Sequence, residues 1–172
     1  NSFFLSVFIA KKLNEHFKKG TFRKKIDTFI ALGKFSADKF IEAGLSEKKI
    51  FLKPNFVDGK NEKRCEFENY VLFIGRLVNY KGINTLIKAF KKLINYNLKI
   101  IGEGPLYNKL KEEARKMPNV VLIGQLPHKE TLEYIKKASF LVFPSECYEI
   151  TPRVVIECFS YGVPVLTSDR GF

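Results

Sequence analysis

"YVLFIGRLVNYKGINTLIKAFKKLINYNLKIIG", residues 70–102, changes its hydrophobic period twice, and that change decides the fold. "YVLFIGR" (70–76) is a short apolar run that ends in glycine and a cation, as a strand buried on both faces would. "INTLIKAFKKLIN" (83–95) takes up a helical pattern, and "LKIIG" (98–102) returns to strand. The same alternation continues downstream. Helix "LYNKLKEEARK" (106–116) precedes strand "NVVLIG" (119–124), and helix "KETLEYIKKA" (129–138) precedes strand "FLVFPS" (140–145). Helix "PRVVIECFSYG" (152–162) then leads to strand "PVLTS" (164–168). Five apolar runs alternating with four helical ones predict a parallel, doubly wound α/β sheet. Ligands of such sheets bind beyond the carboxyl ends of the strands, in the loops that lead into helices.

Upstream, a helix is expected over Phe3 to Phe17, a strand over 27–33, a helix over 36–44 closed by Gly44, and a strand over 48–54 stopped by Pro54. "NFVDGKNEKRCEFEN" (55–69) turns polar and charged and reads as a linker. Three parts follow: residues 1–54, a linker at 55–69, and the sheet-forming part at 70–172. The chain starts without Met and stops at "TSDRGF", just after a strand-like run, which reads as a fragment.

The 172 residues carry 45% hydrophobic side chains and a formal charge of +12, which suits a globular protein with an appetite for phosphates. Residues 1–25 hold seven basic side chains and one acidic, whereas residues 70–172 hold fifteen and nine. That concentration points to an anionic membrane surface as a partner for residues 1–25. Aromatic residues are not interleaved with the basic ones as a nucleic-acid platform requires, so no nucleic-acid partner is expected. No apolar run reaches the roughly 18–20 residues that cross a bilayer. Cys65, Cys147 and Cys158 are scattered without metal-ligand spacing, which suits a reducing compartment and predicts no metal.

Four loops stand where ligands bind. "GRLVNYKG" (75–82) offers Gly75 for close backbone approach, and Arg76 and Lys81 as cations suited to a diphosphate. A solvated turn with two surface charges is the plainer reading. "IGEGPL" (101–106) has Tyr107 where a dinucleotide fingerprint needs its third glycine, so it reads as a tight turn first and a pocket wall second. In "GQLPHKE" (124–130), His128 stands at a helix start and reads as solvated. His16 reads as a surface residue.

The fourth loop, "CYEITPRVVIECFSYGVPV" (147–165), raises a harder question. Glu157 lies among Val154, Val155, Ile156, Cys158 and Phe159, where an unpartnered carboxylate costs several kcal/mol. Glu149 precedes it by eight positions. Thr151 suits an N-cap and Pro152 the first helical position, placing the helix start about 9 Å from Glu157. Free N–H groups there favour an anion between the glutamates. A nucleoside diphosphate sugar has hydroxyls at both ends and phosphates between them. It would meet Glu157 with its ribose and Glu149 with its sugar, in one pocket shared with Arg76 and Lys81. A buried salt bridge from Glu157 to a neighbouring Lys or Arg would serve equally well.

In this order the residues resemble the donor-binding half of a family 4 (group 1) glycosyltransferase of GT-B fold. The likeness runs from "GRLVNYKG" through "VVLIGQLPHKETLEYIKKASFLVFPS" to "YEITPRVVIECFSYGVPVLTSDRG", with Glu149 and Glu157 as its E-x7-E pair and Gly162, Pro164 and Val165 as its G-x-P-V segment. "FIALGKFSADKFIEAGLSEKKIFLKPNFVD" is similar to the end of the family's acceptor-side domain and the crossing into the second domain. The resemblance implies a Rossmann-like donor domain with a remnant of the N-terminal domain. It also implies retaining, metal-independent transfer of a sugar from a nucleotide-diphosphate donor to an acceptor hydroxyl, saccharide or lipid-linked, without a cofactor. By position, Arg76 and Lys81 would neutralise the diphosphate, Glu149 would meet the donor sugar and Glu157 the ribose. Backbone at Ile150 and Thr151 would meet sugar or phosphate, and backbone at Gln125 and Leu126 the base. The family's usual business implies cell-surface polysaccharide or glycolipid assembly, in the cytoplasm or on the inner face of its membrane. The sequence departs from the pattern in having "EITP" where E-G-F-G is common and Tyr80 where an acidic residue often stands. It shows neither the glycine-rich loop nor the histidine of the family's first domain.

Overall fold

The computed structural model describes residues 3–57 and 67–169, and the chain divides into two compact units, Asn1–Pro54 and Asn55–Phe172. Positions 58–66 of the expected linker lie outside the described residues.

In the first unit, α1 (Phe3–Lys18) and α2 (Thr21–Lys25) lead to β1 (Phe29–Ala31), α3 (Lys34–Glu42) and β2 (Ile50–Leu52). The two strands pair in parallel, with Phe29 opposite Ile50 and Ala31 opposite Leu52. Parallel pairing needs a crossover, and α3 supplies it. Lys49 Nζ donates to the carbonyls of Arg23 and Ile26, fastening the end of α2 to the turn before β2. The five residues of α2 are a helix that the sequence pattern does not announce. Along α1, Phe3, Phe4, Leu5, Val7, Phe8, Ile9, Leu13 and Phe17 are exposed. No helix among the described residues is long and apolar enough to cross a membrane.

The second unit holds β3 (Val71–Ile74), α4 (Ile83–Phe90), β4 (Leu98–Ile101), α5 (Tyr107–Ala114) and β5 (Val120–Gly124). It continues with α6 (His128–Lys137), β6 (Phe140–Phe143), α7 (Arg153–Ser160) and β7 (Val165–Thr167). All five strands run parallel in the order β5-β4-β3-β6-β7, so the sheet is the expected doubly wound one. Side chains alternate across it. Val71, Phe73, Leu98, Ile100 and Val142 join Ile83, Leu86, Ile87, Phe90 and Leu110 of α4 and α5 in one core. Tyr70, Leu72, Leu141 and Phe143 join Ile135, Val155 and Cys158 of α6 and α7 in the other. Leu72 and Phe73 are almost fully buried, one on each face, each contributing about 1.5–3 kcal/mol of burial.

Several boundaries differ from expectation: α3 spans Lys34–Glu42, residues Glu47–Lys49 form a 3₁₀ turn ahead of β2, and two further differences have an evident cause. α4 stops at Phe90 rather than running to 95, because Asn119 Nδ2 donates to the carbonyls of Phe90, Leu93 and Tyr96 and draws them out of helical register. α7 begins at Arg153 with Pro152, not Thr151, as its N-cap. Thr151 instead takes a left-handed backbone, φ 50°.

Candidate functional site

The strand order places β3 at the centre, with β4 on one side and β6 on the other, so the connections reverse direction there. The crevice beyond the carboxyl ends of β3 and β6 is the switch point where open α/β sheets take ligands. The loops after these strands, 75–82 and 144–152, flank it.

The loop after β3 is pinned from below. Leu77 N–H donates to Glu103 O (2.8 Å), and Leu106 N–H donates back to Leu77 O (3.1 Å). A Cβ on Gly102 would stand 2.0 Å from the Gly75 carbonyl oxygen, so the loops after β3 and β4 touch backbone to backbone. The tight turn expected at 101–106 is therefore present, and it walls a cavity of about 480 Å³. Gly75, Arg76, Gly102, Glu103, Gln125 and Leu126 are among its lining residues. Arg76 is exposed, and no ion pair to it is present among the described residues.

Lys81 closes the same loop, in a 3₁₀ turn, Asn79–Lys81. Its ammonium pairs with Glu149 Oε1 across the switch point, 68 positions away in sequence, and lies 5.5 Å from the centre of the Phe143 ring. Ser145, 1% exposed, donates to the same carboxylate oxygen at 2.6 Å, and Cys147 Sγ reaches it at 3.4 Å. Burial pushes the Glu149 carboxyl up, but the bonds from Lys81 and Ser145 and the lysine charge together hold it below the usual carboxylate range. A backbone bond ties the two loops, Glu146 N–H to Tyr80 O at 2.8 Å, and a side-chain bond from Thr85 Oγ1 of α4 to Glu146 Oε1 at 3.0 Å reinforces it. Gly82 (φ 70°) sits where a Cβ would lie 1.8 Å from the Pro144 carbonyl oxygen. Only glycine fits.

Beyond Glu149, half-buried Ile150 and Thr151 lead into α7, and the Thr151 carbonyl accepts from Asn55 Nδ2 at 2.8 Å. Glu157 lies one turn into α7 and is 7% exposed. Its Oε1 is 2.9 Å from His128 Nε2, and Arg153 Nη2 is 3.7 Å away, beyond hydrogen-bond reach. It therefore has a histidine in hydrogen-bond contact and, in the salt bridge to a neighbouring arginine that the sequence also allows, Arg153 as an ion-pair partner. Glu157 also faces a different space from the one expected. It lines a cavity of about 290 Å³ with His128, Lys129, Lys136, Arg153 and Ser160, whereas Gly75, Arg76, Gln125 and Leu126 line the 480 Å³ cavity. The start of α6 separates the two, with His128 on one and Thr131 on the other. His128, expected to be merely solvated, reaches across from the first position of α6.

The structure thus brings Lys81 to Glu149, and Arg76 to Gly75, Gln125 and Leu126, but sets Glu157 apart with His128. Three contributors went unread in the sequence: Ser145 under Glu149, Asn55 on the Thr151 carbonyl, and His128 on Glu157. Only His128 carried a signal, as one of two histidines and at a helix start. Among the described residues no group of three or more His, Cys, Asp and Glu is placed to hold a metal ion.

Residues 58–172 match the family model described as glycosyl transferases group 1. An uncharacterized glycosyltransferase of Methanocaldococcus jannaschii is 35% identical over 105 residues, covering 60% of this chain and 29% of that protein. The capsular polysaccharide biosynthesis glycosyltransferase CapM of Staphylococcus aureus is 31% identical over 135 residues, covering 73% of this chain and 34% of its own. The chain therefore spans about a third of the length of these relatives. Among solved structures, S. aureus TarM in complex with fondaparinux, alpha-GlcNAc-glycerol and UDP superposes with a TM-score of 0.76. It is 23% identical, over 88% of this chain and 31% of TarM.

Proposed function

We propose, from the premise that this chain belongs to the group 1 glycosyl transferases, that it is the donor-binding part of a family 4, retaining, hexosyltransferase-type enzyme. It takes a nucleotide-diphosphate sugar, and the whole protein passes the sugar to an acceptor hydroxyl in polysaccharide or glycolipid assembly. The observation that carries this reading is the Lys81–Glu149 pair bridging the switch point, with the exposed Arg76 on the same loop. A diphosphate brought there meets two cations, and the negative charge that develops on it as the glycosidic bond breaks is stabilised in place. Lys81 then exchanges part of its bond to Glu149 for phosphate oxygens. That frees carboxylate lone pairs on Glu149 for sugar hydroxyls.

Arg76 reaches the 480 Å³ cavity, whose Gln125 and Leu126 present backbone to a base. The Ile150 and Thr151 backbone and Gly75 complete the phosphate and sugar ends, and Glu157 accepts from the ribose diol across the start of α6, from the 290 Å³ cavity that it lines. No metal or cofactor enters this scheme, since the two cations supply the positive charge. UDP is the first probe because TarM was solved with it.

UDP or GDP at a hundredfold excess over Kd is expected to raise the melting temperature of this chain by about 5–10 °C. Lys81→Ala and Glu157→Ala should each remove the rise. A folded wild-type sample that shifts with neither nucleotide refutes the reading.

A further inference from the structure

Glu157 presents a problem that the nucleotide-sugar reading alone leaves open. A carboxylate in a helix, with a side chain only 9% exposed, has several rotamers and one useful direction. The neighbouring cation Arg153 lies one helical turn before it at 3.7 Å, too far to hydrogen-bond, so it offers charge without direction. The directional contact comes from the next helix: His128 Nε2 stands 2.9 Å from Oε1. An ionised carboxylate only accepts, so Nε2 carries the hydrogen in this contact. Oε1 retains a lone pair and Oε2 is untouched by the ring, which leaves capacity for two hydroxyl donors without breaking the bond.

The ring is well placed for such work. His128 is the first residue of α6, so its side chain leaves the helix where no preceding turn crowds it. It is 60% exposed at the cavity rim, while Glu157 lies at the cavity floor. Of the lysines that share the cavity, Lys136 pairs with Glu133 at 2.9 Å.

We propose that His128 is a positioning residue for the ribose diol: it fixes the Glu157 carboxylate so that the remaining lone pairs receive the 2′- and 3′-hydroxyls of the donor nucleotide. This rests on the nucleotide-sugar reading and deepens it, because it assigns diol recognition to a pair of side chains on α6 and α7. Every loss it predicts therefore depends on the diol.

The test measures Kd by titration calorimetry for whichever of UDP and GDP binds, and for its 2′,3′-dideoxy analogue, on wild type and variants. His128→Ala is expected to weaken the parent nucleotide about tenfold, the effect of losing one well-placed hydrogen bond to a charged group. The dideoxy analogue should bind His128→Ala as it binds wild type. His128→Gln, whose amide can reach the same oxygen, should recover all but about threefold of the affinity. Equal losses for both nucleotides, or no loss for either, overturn the proposal, since the first marks a merely structural histidine and the second an idle one. A wild type that binds neither UDP nor GDP overturns the underlying reading and the proposal together, and is told apart by that wild-type blank.

Discussion

Glu149 and Glu157 are eight residues apart, and the fold treats them in opposite ways. Glu149 sits between two loops locked to each other. It has a permanent cation, a buried hydroxyl and a thiol on one oxygen. Glu157 sits between two helices, with one exposed imidazole and, farther off, Arg153 on one oxygen and a cavity beside it. The first arrangement offsets the burial of a charge by gathering a cation and two further donors on one oxygen, which makes a rigid and polar floor. The second leaves the charge with spare acceptor capacity, which costs stability unless something else arrives to use it. The difference teaches that the fold holds Glu149 in place through contacts of its own loops, while it leaves Glu157 facing a cavity between two helices.

The sharpest way to break that contrast is at the glycines that follow each end. Gly82 (φ 70°) abuts the Pro144 carbonyl, and Gly162 (φ 69°), past the end of α7, has nothing within 4 Å of a Cβ. Gly162→Ala should cost about 1–2 kcal/mol, the strain of a left-handed alanine alone. Gly82→Ala adds a clash with backbone and should cost about 2–4 kcal/mol in urea denaturation. Equal losses at the two positions would show that the loops around Lys81 and Glu149 are not locked as described.

Next in size is the removal of each partner. Lys81→Met leaves Glu149 with burial and no cation, for an expected loss of about 1–3 kcal/mol at pH 7. His128→Ala, at a largely exposed ring, should cost under about 1 kcal/mol of stability. Acid should erase the first effect. The folded-state carboxyl of Glu149 titrates below its ordinary value of 4.5, so its contribution is complete above that value. It is lost as the pH falls through the lowered value of the folded state. The gap between wild type and Lys81→Met must therefore be full at pH 7 and shrink below pH 4.5. A gap that stays constant into acid would mean that the lysine acts through packing on Phe143 and not through charge.

These contrasts also show how far the sequence carries. Every strand of the second unit is legible, because a parallel strand buried on both faces must be apolar throughout and short. Helix ends are not. Asn119 stops α4 from 29 positions away, and the left-handed Thr151 shifts the cap of α7 by one residue. At the site, Arg76, Lys81, Glu149 and Glu157 are each legible as charges at strand ends or among aliphatics. Their pairing is not, because periodicity reports which face of an element is buried and says nothing of which loop meets which across a reversal of strand order. Lys81 with Glu149 and His128 with Glu157 are both pairings of that kind. His128 shows the point best: its neighbours in sequence suggest solvent, and its true neighbour is on another helix.

The smallest effect, and the most selective, is on thiol chemistry, because each glutamate has a cysteine beside it. Cys147 is half-buried, its sulfur 3.2 Å from Ser145 Oγ. Cys158 is fully buried, and burial, followed by the charge of Glu157, pushes its thiol up to about 12. At pH 8 only about one Cys158 in ten thousand is thiolate, the form that reacts. On a Cys65→Ser background, an aromatic disulfide reagent is expected to titrate one thiol in native protein and the second only in denaturant. A saturating nucleotide sugar should slow the first, because a donor at the Glu149 end covers Cys147, and leave the second unchanged. Two native thiols of equal rate would mean that α7 opens readily, which would make the Glu157 end the looser scaffold and not a site held ready. One reactive thiol that the nucleotide sugar does not protect would keep the contrast in rigidity while moving the sugar away from Glu149.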